Sequence, residues 1–100
     1  MVTMTPIIIE DKQFTAITIA LPKTNFMAVI NDKGYIMCGA LDVRLLNEKL
    51  KERGIIAGRA VGVRTIEQLL EAPLESVTYG AQELGITVGT KGRDALLKMV

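Results

Sequence analysis

The stretch Tyr35–Val63, YIMCGALDVRLLNEKLKERGIIAGRAVGV, decides the fold. Tyr35 to Cys38 is a short apolar run that stops at Gly39, as a strand does before a turn. From Leu41 to Arg53, Val43, Leu46 and Leu50 recur at i, i+3 and i+7, with Leu45 beside them. That is one apolar stripe on a helix. Lys49, Lys51 and Arg53 crowd its last turns, where cations suit the helix dipole, and Gly54 stands where the helix should stop. Ile55 to Val63 follows as an apolar strand. Strand, helix and strand in this order predict a parallel, right-handed crossover.

Upstream, the chain reads as an antiparallel meander. Pro6 to Glu10 is a short apolar run, Asp11–Gln13 a polar turn, and Phe14 to Leu21 a second strand. Pro22–Asn25 is a loop, Phe26 to Ile30 a third strand, and Asn31–Gly34 a hairpin turn into Tyr35. Several of these strands are apolar on both faces: Ile7, Ile8 and Ile9 are consecutive, as are Met27 to Ile30. A sheet with one wet face should alternate instead. Few helices remain to cover a second face, so another subunit is expected to cover it.

Downstream, Thr65-Ile66-Glu67-Gln68 fits a capping box, with Ile66, Leu69 and Leu70 inward. Pro73 suits the first turn of a further helix carrying Leu74, Val77, Ala81 and Leu84 on one stripe and stopped by Gly85. Ile86 to Val88 reads as a short strand, and Thr90 as the cap of a last helix running to Met99. The expected fold is α+β (mixed α/β): an antiparallel meander, a β-α-β crossover, and short C-terminal helices. The 100 residues fit a single domain, 1–100.

Composition removes several function classes. The 12 basic and 11 acidic residues nearly cancel, so no basic field exists to hold nucleic acid without sequence preference. There is no His, which takes away the commonest general base and zinc ligand. No metal and no cofactor is expected. The single Cys38 forms no internal disulfide and suggests a reducing compartment. Met1–Thr5 lacks the features of a signal peptide, and no apolar run approaches the roughly 20 residues of a membrane span. A cytoplasmic location is expected.

Three places could carry chemistry. The first is Cys38, Gly39 and Asp42 at the strand-to-helix junction, where α/β folds often bind ligands. Cys38 could be a nucleophile there, although a small buried hydrophobe is the preferred reading. Asp42 could simply complement the helix start. The second is Arg59, a charge in the apolar row Ile55, Ala57, Val61 and Val63, with Arg64 at the strand end. A charge in such a row needs a carboxylate or anion partner. Either Arg59 and Arg64 bind an anionic ligand beside Cys38, or Arg59 makes a salt bridge to Asp42 or a Glu and Arg64 is solvated. The third is Gly89-Thr90-Lys91-Gly92-Arg93, a superficial match to the Gly-x-x-Gly loop that clamps nucleic-acid backbones. With 4% aromatic residues the chain lacks stacking platforms, so this loop reads as a solvated cap and nucleic acid is not the expected partner.

Across Tyr35–Asp42, Gly58–Thr65 and Leu74–Thr78 the chain resembles the YunC-like family, small bacterial and archaeal proteins of unknown function. The resemblance implies an N-terminal β region, about residues 5–38, used to form tetramers. It implies no reaction, cofactor or catalytic residue. The expectation is therefore a homo-oligomer, of a size consistent with a tetramer, that binds a small anionic ligand or a partner protein at a subunit interface near Cys38, Arg59 and Arg64. The alternatives are a small enzyme with Cys38 as nucleophile and Arg59 stabilising an oxyanion, and a weak nucleic-acid binder acting through Gly89–Arg93.

Overall fold

The computed structural model describes residues 1–39, 43–48 and 53–100. Four antiparallel strands come first: β1 (Val2–Ile9), β2 (Lys12–Leu21), β3 (Thr24–Ile30) and β4 (Gly34–Met37). Helix α1 (Val43–Glu48) then carries the chain across to β5 (Ile56–Arg59), which runs parallel to β4. Next come α2 (Ile66–Glu71), the two-residue strand β6 (Ser76–Val77), α3 (Tyr79–Glu83) and α4 (Gly92–Leu97). The strands form one mixed sheet in the order β1-β2-β3-β4-β5-β6. The fold is α+β, antiparallel first and then crossed over.

The first two strands are longer than their apolar runs. Glu10 and Asp11 turn the chain in two residues, both at positive φ (48° and 67°). This is the twist-matched way to join antiparallel neighbours. Lys12 and Gln13 are thereby drawn into the ladder opposite Ile9 and Ile8.

Alternation along the strands separates two faces. Ile9, Phe14, Ala16, Met27, Val29 and Ile36 point to one side and are buried with Leu69, Leu74, Ile86, Leu96 and Met99 from the C-terminal half. The other side is covered differently along its width. Over β4 and β5, Val43 and Leu46 of α1 pack on Tyr35, Met37 and Ala57. Over β1 and β2, Val2, Met4 and Ile8 are 61%, 65% and 73% exposed, and Leu21 is exposed too. By register they share this face with the half-buried Ile17 and Ile19 of β2 and Phe26 and Ile30 of β3. The two-sided apolar strands thus have a physical outcome: one side makes the core and the other remains largely open.

Four expectations after β5 are corrected. The strand ends at Arg59, and the chain bends through Gly62 at φ 74° instead of continuing to Val63. No helix begins at Pro73. Residues 73–78 are extended, because their backbone bonds reach across the fold: Leu74 N donates to Thr90 O, Glu75 N to Arg59 O, and Thr78 N to Ala57 O. Leu74 is buried all the same, lying against Gly58, where an added Cβ would come within 2.6 Å of its Cδ1. Helix begins only after Thr78, whose hydroxyl accepts from Ala81 N and Ala57 N and donates to Ile55 O. Leu84 lies beyond the short α3 and is exposed. Ile86 is a single buried anchor rather than part of a strand. Thr90 caps a turn, accepting from Thr87 N, while Lys91 occupies the N-cap of α4 without a side-chain bond.

Candidate functional site

The candidate site grows from the parallel pair β4/β5. In such pairs, ligands bind beyond the carboxyl ends of the strands. The register places Met37 opposite Arg59. The Arg59 side chain therefore projects on the side of the sheet that α1 covers. Cys38, one residue further along, points the opposite way into the main core. It is 7% exposed, and its Sγ accepts a hydrogen bond from Met27 N at 3.5 Å. Cys38 and Arg59 are thus on opposite faces.

Arg59 instead meets Gly39. Its Nε and Nη2 both donate to Gly39 O, at 3.2 and 3.0 Å. Its Nη1 donates to both carboxylate oxygens of Glu75, at 3.1 and 3.3 Å. The guanidinium is pinned at both ends, yet the Arg59 and Glu75 side chains are 30% and 46% exposed. A pair so exposed is weak, because water competes for both charges. The Ser76 side-chain hydrogen bond first, and then the Arg59 charge, hold the Glu75 carboxyl below its ordinary value against an opposing effect of desolvation. A depressed carboxyl contributes above the ordinary carboxylate range, and its contribution is lost as pH falls through its folded value.

These groups open onto a cleft of about 700 Å³ that α1, the β6 segment and α3 complete. Asn47 of α1 ties its walls together. Its Oδ1 accepts from Tyr79 N at 2.9 Å, and its Nδ2 donates to Val77 O at 3.5 Å. Ser76, Tyr79 and Gln82 add hydroxyl and amide groups. Arg44 and Glu48 on the rim pair with each other at 3.1 Å. The cleft is polar and balanced in charge, with a guanidinium aimed by a backbone carbonyl.

The other sequence candidates lie elsewhere. Arg64 is exposed at the start of α2, where its backbone N donates to Gln68 Oε1, and it lines a different hollow. Asp42 lies outside the described residues. In the Gly89–Arg93 loop, Arg93 pairs with Glu71 at 3.1 Å, and Gly92 is buried. Among the described residues no three His, Cys, Asp or Glu side chains gather to hold a metal, and no helix is long and apolar enough to cross a membrane. Glu75, Ser76 and Asn47 were not legible as site residues, because their segment read as helix and Asn47 carried no pattern. The only signal was the unpaired charge of Arg59, which demanded a carboxylate.

Burial of Cys38 gives a direct expectation. In the folded protein the thiol should resist alkylation for hours and react fully once the chain is unfolded in denaturant. Equal rates in the two states would contradict its placement in the core.

The comparisons with known proteins agree with one another. The family model described as Domain of unknown function (DUF1805) matches residues 37–99, from the end of β4 through α4. The chain is 77% identical over all 100 residues to the uncharacterized protein YunC of Bacillus subtilis (strain 168), of which it covers 99%. It is also similar to the crystal structure of a protein of unknown function, TA1206, from Thermoplasma acidophilum. There the identity is 29%, the TM-score 0.89, and the coverage 100% of this chain and 94% of that one. Both likenesses include the N-terminal strands that precede the family match.

Proposed function

This chain belongs to the YunC-like family defined by that domain of unknown function, and we propose that it is a cytoplasmic homo-oligomeric binding module, non-catalytic or weakly catalytic. Copies associate through the open face of β1–β3, and the Gly39–Arg59 cleft receives a small anionic ligand or a partner protein's acidic group. The observation that carries this reading is the uncovered apolar face. Val2, Met4, Ile8 and Leu21 stand exposed together beside Ile17 and Ile19. Contiguous apolar patches of this kind are rare on monomers and mark interaction surfaces. A second copy offers an identical face, so the contact is self-complementary about a two-fold axis. A tetramer follows if a second such contact forms.

Binding at Arg59 needs little rearrangement. Glu75 is exposed and can swing away, while Gly39 O keeps Nε and Nη2 aimed. An incoming carboxylate or phosphate then takes Nη1 in its place. The buried Cys38 supports a binding role over a thiol-based reaction, since a nucleophile must be reached by its substrate. A lone reduced thiol also supports the cytoplasmic placement.

Native mass spectrometry on gently purified protein tests both halves. The expected result is a multiple of 10.9 kDa carrying a retained small molecule. In Arg59→Met the subunit number should be kept and the retained mass lost. A bare 10.9 kDa chain would contradict the proposal.

A further inference from the structure

Arg64 does not join the Arg59 cleft, and its own surroundings point to a second ligand. The β2–β3 hairpin turns in two residues, Pro22 and Lys23, with Leu21 opposite Thr24. Lys23 sits at φ 66°, a conformation that glycine adopts freely and other residues do not. The hairpin tip lies against the bend after β5, where Gly62 turns the chain at φ 74°. Lys23, Thr24 and Asn25 on one side, with Val63 and Arg64 on the other, line a hollow of about 670 Å³.

The charge of this hollow is unlike that of the Arg59 cleft. Two cations line it and no carboxylate does. Arg44, Arg59 and Arg93 each hold a carboxylate at 3.1 Å. Among the described residues, Lys23 and the Arg64 guanidinium hold none. Two cations lining one concavity with no carboxylate beside them give it a positive potential that favours an anion.

We propose that this hollow binds the phosphate group of a small phosphorylated molecule. A phosphate monoester carries about −1.5 to −2 charge at neutral pH, which matches two cations, whereas a carboxylate would leave one unneutralised. The planar fork of Arg64 suits two phosphate oxygens at once, and Lys23 supplies a movable point charge. The Thr24 hydroxyl and Asn25 amide add donors for the remaining oxygens. The hollow is within the range of small-molecule sites, about 300–1,000 Å³, so it has room for more than the phosphate. Val63 offers an apolar wall for that remainder. The site is independent of Arg59.

Isothermal titration calorimetry of the full chain, in low-salt buffer of matched ionic strength, tests the inference with inorganic phosphate, inorganic pyrophosphate and acetate as probes. The two phosphate compounds should bind, and acetate should bind about tenfold or more weakly by comparison, having lost charge-assisted bonds. Lys23→Gln and Arg64→Gln should each weaken pyrophosphate about tenfold, because each removes one charged contact. Both residues are exposed, so the thermal midpoints of the variants should stay at the parent value. All of these titrations are repeated in the Arg59→Met background, where the Arg59 cleft takes no anion; pyrophosphate should still bind there and still be weakened by Lys23→Gln and by Arg64→Gln. Absence of pyrophosphate binding at millimolar concentration would overturn the inference. So would equal binding of acetate, or undiminished binding in the Lys23→Gln/Arg64→Gln double variant.

Discussion

Gly92→Ala should cost about 3 kcal/mol or more of folding stability, at the upper end of what overpacking a closed core does. Gly92 is the first residue of α4 and is buried where that helix crosses the end of α2. A Cβ there would collide with the carbonyl oxygen of Leu69 and come within 2.8 Å of Ile36 Cδ1. The carbonyl belongs to the backbone of α2 and cannot swing aside. The two helices must part, and Gly92 N then loses its bond to Ala72 O. At about 4–8 °C per kcal/mol for a domain of this size, the thermal midpoint should fall by roughly 12 °C or more. Gly62→Ala is the contrasting case. Nothing lies within 4 Å of its added Cβ, and only its positive φ opposes the change, so about 1–2 kcal/mol is expected. Chemical denaturation of both variants checks the pair. Equal and small losses would mean that the contact between α2 and α4 is not tight.

Ile17→Glu should leave the subunit folded and break the assembly. Ile17 lies in the middle of β2, opposite Met4 on one neighbour and Ala28 on the other. It faces away from the main core, so its loss opens no cavity there. In a two-fold contact the substitution appears in both copies and buries two carboxylates. Each unpartnered charge taken from water costs at least about 2 kcal/mol, so association should weaken about thirtyfold per carboxylate or more. Light scattering on dilute protein reads the mass, and circular dichroism reads the fold. An unchanged mass would place the subunit contact somewhere other than this face.

Much of this architecture was legible in the residues, for a physical reason. The stripe Val43–Leu46 between two apolar runs has one common packing solution, a crossover onto parallel strands. The doubled apolar faces of Ile7–Ile9 and Met27–Ile30 announced a sheet wanting two covers. The segment 73–78 was illegible, because Leu74, Val77 and Ala81 mimic one helical stripe. They belong to an extended stretch and to a helix started afresh by Thr78. Periodicity cannot distinguish these when long-range backbone bonds decide the matter. The site shows the same limit at finer scale. Cys38 and Arg59 both stand at the ends of neighbouring strands, and a slip of one residue would pair them on one face. The register pairs Met37 with Arg59, and no local pattern in the sequence specifies it. It sends the thiol into the core and leaves Arg59 to Gly39 and Glu75.

We propose that the open face of β1–β3 is covered by another copy of the chain. Sedimentation equilibrium of the unmodified protein at low micromolar concentration tests it most directly. The expected result is a mass that is an even multiple of 10.9 kDa, stable on dilution. A single species of 10.9 kDa would mean that Val2, Met4, Ile8 and Leu21 stay in water, and would contradict it.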